Sequence, residues 1–552
     1  MTSKITVDVV DEALAADAES MAARLAEERV ASRITAQDPT LWGPPAEAEA
    51  RIRLGWTRLH ETSRPLLAEI DALAAQLRSE GVSRVVLAGM GGSSLAPEVI
   101  CATAGAELVA LDTTDPGQVR DALAASSGTP GDLKRTVLVV SSKSGSTVET
   151  DSHRRTFEAA FTEAGIDAAA RIVVVTDPGS PLEALAREAG YRRVFAADPN
   201  VGGRYSALTA FGLVPSGLAG VDVAELLDDA ADAAPMLAED TAENPALRLA
   251  CALGAAHARG AEKVVLAGGG NSAVKGFPDW VEQLVAESTG KNGTGLLPVI
   301  VEGTGAPGFA DARSDATPTT VGAAAGAAKL STGGPLGGLF LLWEYATAVI
   351  GRLLGINPFD QPDVEAAKKA ARALLDAPSN GSGQGGSAPS SPLFTNGAIE
   401  VYTYGDWLPP SVTTVDTALE ALVAATPEFG YLALQAYLDR IADASAAVLR
   451  PELARRTGVQ TTFGWGPRFL HSTGQYHKGG HPNGAFMQVT GAAQEDLPVP
   501  GRPYTFARLQ LAQAAGDGQV LAGRGRPVLR LHLTDRAVGL AELGHAVQGL
   551  RQ

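Results

Sequence analysis

Two short loops in this chain carry the residue types of an anion cradle. The run Leu138-Val-Val-Ser-Ser-Lys-Ser-Gly-Ser-Thr147 passes from a β-branched strand into hydroxyls, one glycine and one lysine, and a helical pattern starts at Val148-Glu149-Thr150. Backbone N–H groups, hydroxyl donors and the positive end of a helix dipole make an anion site together, and a phosphate is its natural occupant. Earlier, Val85-Val-Leu-Ala-Gly-Met-Gly-Gly-Ser-Ser94 repeats the sequence of strand, tight loop and helix start. Two such loops on neighbouring parallel strands would clamp one small phosphorylated molecule. The pattern points to a phosphosugar protein.

The elements that must hold these loops are legible from the spacing. Between Val82 and Val201, strand-like runs at Arg84–Ala88, Glu107–Leu111, Thr136–Ser141, Arg171–Thr176 and Arg193–Phe195 alternate with helical stretches, which predicts a parallel sheet covered on both faces. Around Glu262 the pattern restarts: Glu262-Lys-Val-Val-Leu-Ala-Gly268 echoes Ser83-Arg-Val-Val-Leu-Ala-Gly89, an offset of 268 − 89 = 179 residues. We therefore expect a helical lead-in over residues 1–80, a first α/β unit over 81–220 and a second over 221–376, joined by helices near Val221–Ala258. Residues 377–392, with Pro378-Ser-Asn-Gly-Ser-Gly-Gln-Gly-Gly-Ser-Ala-Pro-Ser-Ser391, read as a flexible linker reaching roughly 20 Å. Residues 393–552 mix strands and helices again and are expected to pack back on the second unit.

Composition excludes several functions. A chain of 552 residues that is 45% hydrophobic fills more than one core, and a net charge of −17 argues against nucleic-acid or anionic-membrane partners. Cys101 and Cys251 lie in Ala-rich helical surroundings and suggest neither disulfides nor a metal cage. The acidic, helical start lacks the layout of a signal peptide and no apolar run suggests a membrane span, so a cytoplasmic protein is expected. The loop Gly89-Met-Gly-Gly-Ser-Ser94, with Asp112 after the next strand, imitates a dinucleotide fingerprint, but a serine stands in place of the third glycine. No Walker A pattern occurs.

Five motifs resemble those of the phosphoglucose isomerases, in family order. They are Gly89–Glu98, Ser142–Thr150, Asn200-Val-Gly-Gly-Arg204-Tyr-Ser-Ala-Leu208, Glu287-Ser-Thr-Gly-Lys291 and Asn357-Pro-Phe-Asp-Gln361-Pro-Asp-Val-Glu-Ala-Ala-Lys368. The segment after Leu393 is similar to the tail of the isomerase half in fused transaldolase–phosphoglucose isomerase chains; a transaldolase half is absent. The resemblance implies an α/β fold of two SIS-type, flavodoxin-like parallel-sheet units with helices on both faces, the C-terminal segment completing the second. It implies reversible interconversion of glucose 6-phosphate and fructose 6-phosphate through a cis-enediol, in glycolysis and gluconeogenesis, with neither cofactor nor metal, in a homodimer.

By the same resemblance Gly92, Ser93, Ser142, Lys143, Ser144 and Thr147 bind the substrate phosphate, Gln361 lines the pocket, Glu287 moves the proton and Arg204 holds the enediolate. Ordinary helix capping is the alternative for the serines and threonines. Lys368 takes the family position for ring opening; Lys369 beside it points to another helix face. Pro362-Asp363 departs from the family, which usually has Gly before Val-Glu. No histidine lies between Glu287 and Lys368, where the family places its ring-opening histidine. The nearest match is Leu470-His471-Ser-Thr-Gly-Gln475-Tyr-His477-Lys478-Gly-Gly-His481, which implies that this block has moved past the lysine helix and returns in space. His477 is the first candidate and His471 the second; a metal site from the three histidines lacks helical spacing and an acidic cluster. Two alternatives stay open. One is an isomerase that also accepts mannose 6-phosphate; the other is a non-catalytic SIS sensor, which would keep Ser142–Thr147 without needing Glu287, Arg204 and Lys368.

Overall fold

The computed structural model describes residues 4–124, 132–269, 272–376 and 391–550. The chain opens with strand β1 (Thr6–Val9) before its first helix, Glu12–Glu27, which Asp11 caps through Leu14 N–H at 2.9 Å. The lead-in is therefore not helical throughout. Its Thr-Val-Asp-Val alternation suits an edge strand, and it pairs antiparallel with a strand of the second unit.

The first unit contains β2 (Arg84–Gly89), β3 (Val109–Leu111), β4 (Thr136–Ser141), β5 (Ile172–Thr176) and β6 (Arg193–Ala196). All pairs are parallel and the order is β3-β2-β4-β5-β6. Strands β4 and β5 are buried at every position, as expected for a sheet with helices on both faces. This is the flavodoxin-like order, and its direction reverses between β2 and β4. The loops that leave these two strands are the two glycine–hydroxyl loops.

The second unit contains β7 (Lys263–Gly268), β8 (Leu297–Ile300), β9 (Ala316–Val321) and β10 (Leu330–Gly333), in the order β1-β10-β9-β7-β8. The echo of the first loop, Gly268 to Ser272, falls partly outside the described residues. Helix Leu336–Leu353 is long and apolar enough to cross a membrane, but 89% of it is buried inside the protein. Its buried hydrophobic residues belong to the core cluster that joins elements of both units.

The C-terminal segment carries a sheet of its own rather than adding strands to the second sheet. Its strands are β11 (Phe394–Asn396), β12 (Ile399–Tyr404), β13 (Tyr431–Tyr437), β14 (Gln460–Trp465), β15 (Gly484–Gly491) and β16 (Val528–Leu533), ordered β11-β12-β16-β15-β13-β14. It meets the second unit through a shared core in which Val265, Leu297 and Val299 pack with Tyr431, Phe486 and Val528. Arginines fasten it to the first unit, among them Arg502, which pairs with Asp151 at 2.7 Å. Arg440 pairs with Glu98 at 2.8 Å, Arg468 with Glu98 and with Asp112 at 3.3 Å, and Arg536 with Asp115 at 2.7 Å. Most of the expected linker 377–392 lies outside the described residues.

Candidate active site

The two loops leave β2 and β4 at the switch point of the first sheet, the place where open α/β sheets bind ligands. With them, residues from the turn Gly203–Tyr205, helix Phe277–Thr289, the 361–368 segment and the turn Arg468–His471, together with Asp177 after β5, line a cavity of about 370 Å³. Gly92, Ser93, Ser142, Lys143, Ser144, Thr147, Arg204, Glu287, Gln361 and Lys368 all line it. His471 lines it too, whereas His477 does not.

The first loop works by close approach. A Cβ on Gly92 would lie 2.0 Å from the carbonyl oxygen of Gly203, so only glycine lets the Gly91–Ser93 turn touch the turn that carries Arg204. Gly91 adopts φ +55, and a Cβ there would come within 2.8 Å of the His471 carbonyl oxygen. Gly92→Ala should therefore raise the KM for a sugar phosphate by roughly 10-fold or more, because a shift of about 1 Å in such loops is costly. Steady-state kinetics on the folded variant would check it.

The second loop runs into helix Val148–Glu163. Thr147 sits at the N-cap with φ −69 and ψ 118, yet its hydroxyl makes no capping bond. It meets the Ser142 hydroxyl at 2.9 Å instead, leaving the first helical N–H groups without a side-chain cap. The capping alternative thus does not apply to Thr147. Ser144 and Ser146 pair at 3.1 Å, and Lys143 donates to Asp177 at 2.6 Å. Burial pulls both partners toward neutrality: the Lys143 ammonium is held below its usual range and the Asp177 carboxyl above it.

Arg204 is 2% exposed, and four of its five N–H donors are committed. Nε donates to Ser288 Oγ (2.8 Å), Nη1 to Gln361 Oε1 (2.8 Å), and Nη2 to the carbonyls of Pro358 (2.8 Å) and Asp360 (2.9 Å). The remaining N–H is on Nη1, which stands 3.6 Å from Glu287 Oε2. Lys291 secures the same loop by donating to Asn357 O (2.7 Å), Asp360 O (2.6 Å) and Asp360 Oδ1 (2.7 Å). Burial, with Arg204 nearby, pushes the Lys291 ammonium down to about 8 against the pull of Asp360.

Glu287 lies in the last turn of helix Phe277–Thr289, where the dipole opposes a negative charge. Gln283, one turn earlier, donates to its Oε2 at 3.3 Å. Burial raises the Glu287 carboxyl above its ordinary range, and Arg204, His471 and Lys368 oppose the rise. A carboxylate so placed is more basic than a solvated one, and a fixed guanidinium faces it. Lys368 reaches the cavity from helix Glu365–Asp376 and pairs with Glu365 at 2.8 Å.

The histidine block does come back to this cavity, with His471 and not His477 at its wall. His471 ends the turn Arg468–His471, and its Nε2 lies 3.1 Å from Glu149 Oε1. His477 is only 2% exposed; its Nδ1 meets the Tyr431 hydroxyl at 3.0 Å and its ring stacks on Tyr431 at 5.7 Å. Burial drives its pKa well below the ordinary histidine value, which makes it a neutral core residue. The placement of His477 in the site is corrected by this packing. His481 is turned outward and pairs with Glu262 at 2.8 Å.

Spacing did not single out Glu149. A first-turn carboxylate reads as dipole complement, and its partner histidine is 322 residues away. Burial alone would raise its carboxyl, but the hydrogen bond and charge of His471 hold it below the ordinary value. Asp363, the departure from the family pattern, also acquires a role. It accepts from Gln475 Nε2 (2.7 Å) and pairs with Arg524 (2.7 Å), both in the C-terminal segment.

The phosphoglucose isomerase family model matches residues 66–316, which include both loops, Arg204 and Glu287. A probable glucose-6-phosphate isomerase of Natronomonas pharaonis is 30% identical over 417 residues, covering 66% of this chain and 94% of the relative. This chain belongs to the phosphoglucose isomerase family. A glucose-6-phosphate isomerase of Thermosynechococcus vestitus is 31% identical over 386 residues, 57% of this chain and 72% of the relative. Among solved structures, a hypothetical protein of Thermus thermophilus matches with TM-score 0.57 and 26% identity, over 68% of this chain and 100% of that one. The glucose-6-phosphate isomerase of Chlamydia trachomatis shares the fold at TM-score 0.53 and 19% identity, over 67% of this chain and 88% of its own. About a third of the phosphoglucose isomerase chain described here thus falls outside each of these two structural matches.

Proposed function

We propose that this protein is a phosphoglucose isomerase that interconverts glucose 6-phosphate and fructose 6-phosphate in the cavity between its two loops. The observation that carries this reading is the pairing of Glu287 with Arg204, 3.6 Å apart, beside a hydroxyl-rich loop at the switch point. Ser93, Ser142, Ser144, Thr147 and the uncapped N-terminus of Val148–Glu163 hold the phosphate. Binding at that remote group orients the sugar over the carboxylate.

Ring opening requires a base at the C1 hydroxyl and an acid at the ring oxygen. His471, with its Nε2 engaged by Glu149, and Lys368, which lines the same cavity, fill these roles. Glu287 then takes the proton from C2 of the open aldose and returns it to C1, so no proton is lost overall. The free N–H of Arg204 faces the oxygens that become negative in the enediolate. Every group invoked lies in one chain, so the reaction as drawn needs no partner subunit.

The test is a coupled assay for glucose 6-phosphate formed from fructose 6-phosphate, in chelator. Wild type should turn over, and absence of turnover with retained substrate binding would favour a sensor. His471→Asn should lower kcat by about 10²-fold. His477→Gln should instead lower the melting temperature and leave kcat within a few-fold, because it loses a core contact.

A further inference from the structure

Helix Phe506–Gly523 of the C-terminal segment places Gln513 against the back of the Glu149–His471 pair. The side chain is 4% exposed. Its Nε2 donates to Glu149 Oε1 at 2.6 Å, the same oxygen that faces His471 Nε2 at 3.1 Å. Its Oε1 accepts from the Thr114 hydroxyl at 2.8 Å, and Thr114 follows β3 in the first unit. The orientation of the amide is thereby set. A hydroxyl that donates to the amide oxygen leaves only the NH₂ end for the carboxylate, and the reverse arrangement would set two acceptors face to face.

We propose that Gln513 is a positioning residue for ring opening: held by Thr114, it fixes Glu149 as the acceptor that orients His471. The inference rests on the reading of His471 and Glu149 given above. It also assigns a second task to the C-terminal segment, which supplies both the histidine and the group that holds the histidine's partner.

Other groups face the pair from each neighbouring element. Lys368 on helix Glu365–Asp376 favours the carboxylate, while Glu365 at the start of that helix and Glu287 on helix Phe277–Thr289 both favour a charged His471. His153, one turn along the helix of Glu149, is pushed down to about 4 by burial and stays neutral. The Tyr437 phenol of β13 is pushed far up by burial and is neutral as well. Gln513 is thus an uncharged donor to Glu149 in a setting whose charges come from other elements. Removing its N–H destabilises the anion, so the pair binds its proton more tightly.

The experiment is a pH–rate profile of the full chain for wild type, Gln513→Leu, Thr114→Val, the double variant and His471→Asn. Gln513→Leu should lower kcat about 10-fold with KM nearly unchanged, the size seen when the partner of a working side chain is removed. The limb that His471→Asn abolishes should move up by roughly one pH unit in Gln513→Leu. Thr114→Val should move it the same way by less, and the double variant should add little to Gln513→Leu. If Gln513→Leu does not fold, Gln513→Glu serves: two facing carboxylates share a proton, and the limb should move further up. An unmoved limb, with loss confined to melting temperature or KM, overturns the proposal while His471→Asn still shows its effect. A His471→Asn variant with an unaltered profile would sink the underlying reading of the dyad instead.

Discussion

Glu287→Gln should lower kcat for fructose 6-phosphate isomerisation by about 10²–10⁴-fold, the range of a positioned general base, with little change in KM. In the proposed reading the phosphate is held by the loops at Ser93 and Ser142–Thr147, which the substitution does not touch. The amide keeps the size of the carboxylate and its bond from Gln283, but it cannot take a proton from carbon. The wild-type rate should fall on the acid side as Glu287 becomes protonated, and this limb should lie above the ordinary carboxylate value because burial raises the group. The stability effect has the opposite sense. With its folded pKa above the unfolded one, the folded state binds the extra proton, so stability is present below the unfolded pKa and is lost as pH rises through the window between the two. Around neutral pH the ionised Glu287 therefore costs stability, and Glu287→Gln should melt no lower than wild type. Steady-state kinetics from pH 5 to 9 with parallel thermal melts would check both; a variant retaining a tenth of wild-type kcat would remove Glu287 from the mechanism.

Arg204→Lys should cost about 10²–10³-fold in kcat, or roughly 3–4 kcal/mol, and also raise KM. Both effects trace to the guanidinium. One N–H faces Glu287, while the other four hold Ser288, Gln361 and the carbonyls of Pro358 and Asp360. An ammonium has three donors on one atom and cannot span those acceptors, so the charge would drift and the 357–361 loop would loosen. Lys291 still anchors that loop through Asn357 and Asp360, so the fold should survive. Affinity for a planar enediolate mimic should fall in step with kcat/KM, whereas binding of inorganic phosphate should not change. Equal losses for both ligands would mean that Arg204 acts only as a strut.

Much of the site was legible because its decisive features are local. A strand, a hydroxyl loop and a helix start are contiguous in Val139–Thr150, and backbone N–H groups need no distant partner to form a phosphate cradle. The first sheet follows the β-branched runs to within one or two residues at each strand; β4 spans the expected Thr136–Ser141. Departures arose where long-range pairing decides. Residues 6–9 became a strand because β10 offered an open edge, and the C-terminal segment formed its own sheet because β13, β15 and β16 pair with one another.

By itself, then, the sequence determined the two loops, the parallel first unit and the set of residues that includes Glu287, Arg204, Gln361 and Lys368. The tertiary structure alone decided which histidine lines the cavity. His471 and His477 lie six positions apart in one glycine-rich run; the turn at Arg468–His471, pinned through Arg468 to Glu98 and Asp112, aims one at Glu149. The short helix that follows buries the other against Tyr431. Spacing records which residues are neighbours along the chain, but burial and hydrogen-bond partners across 322 residues belong to the packed state.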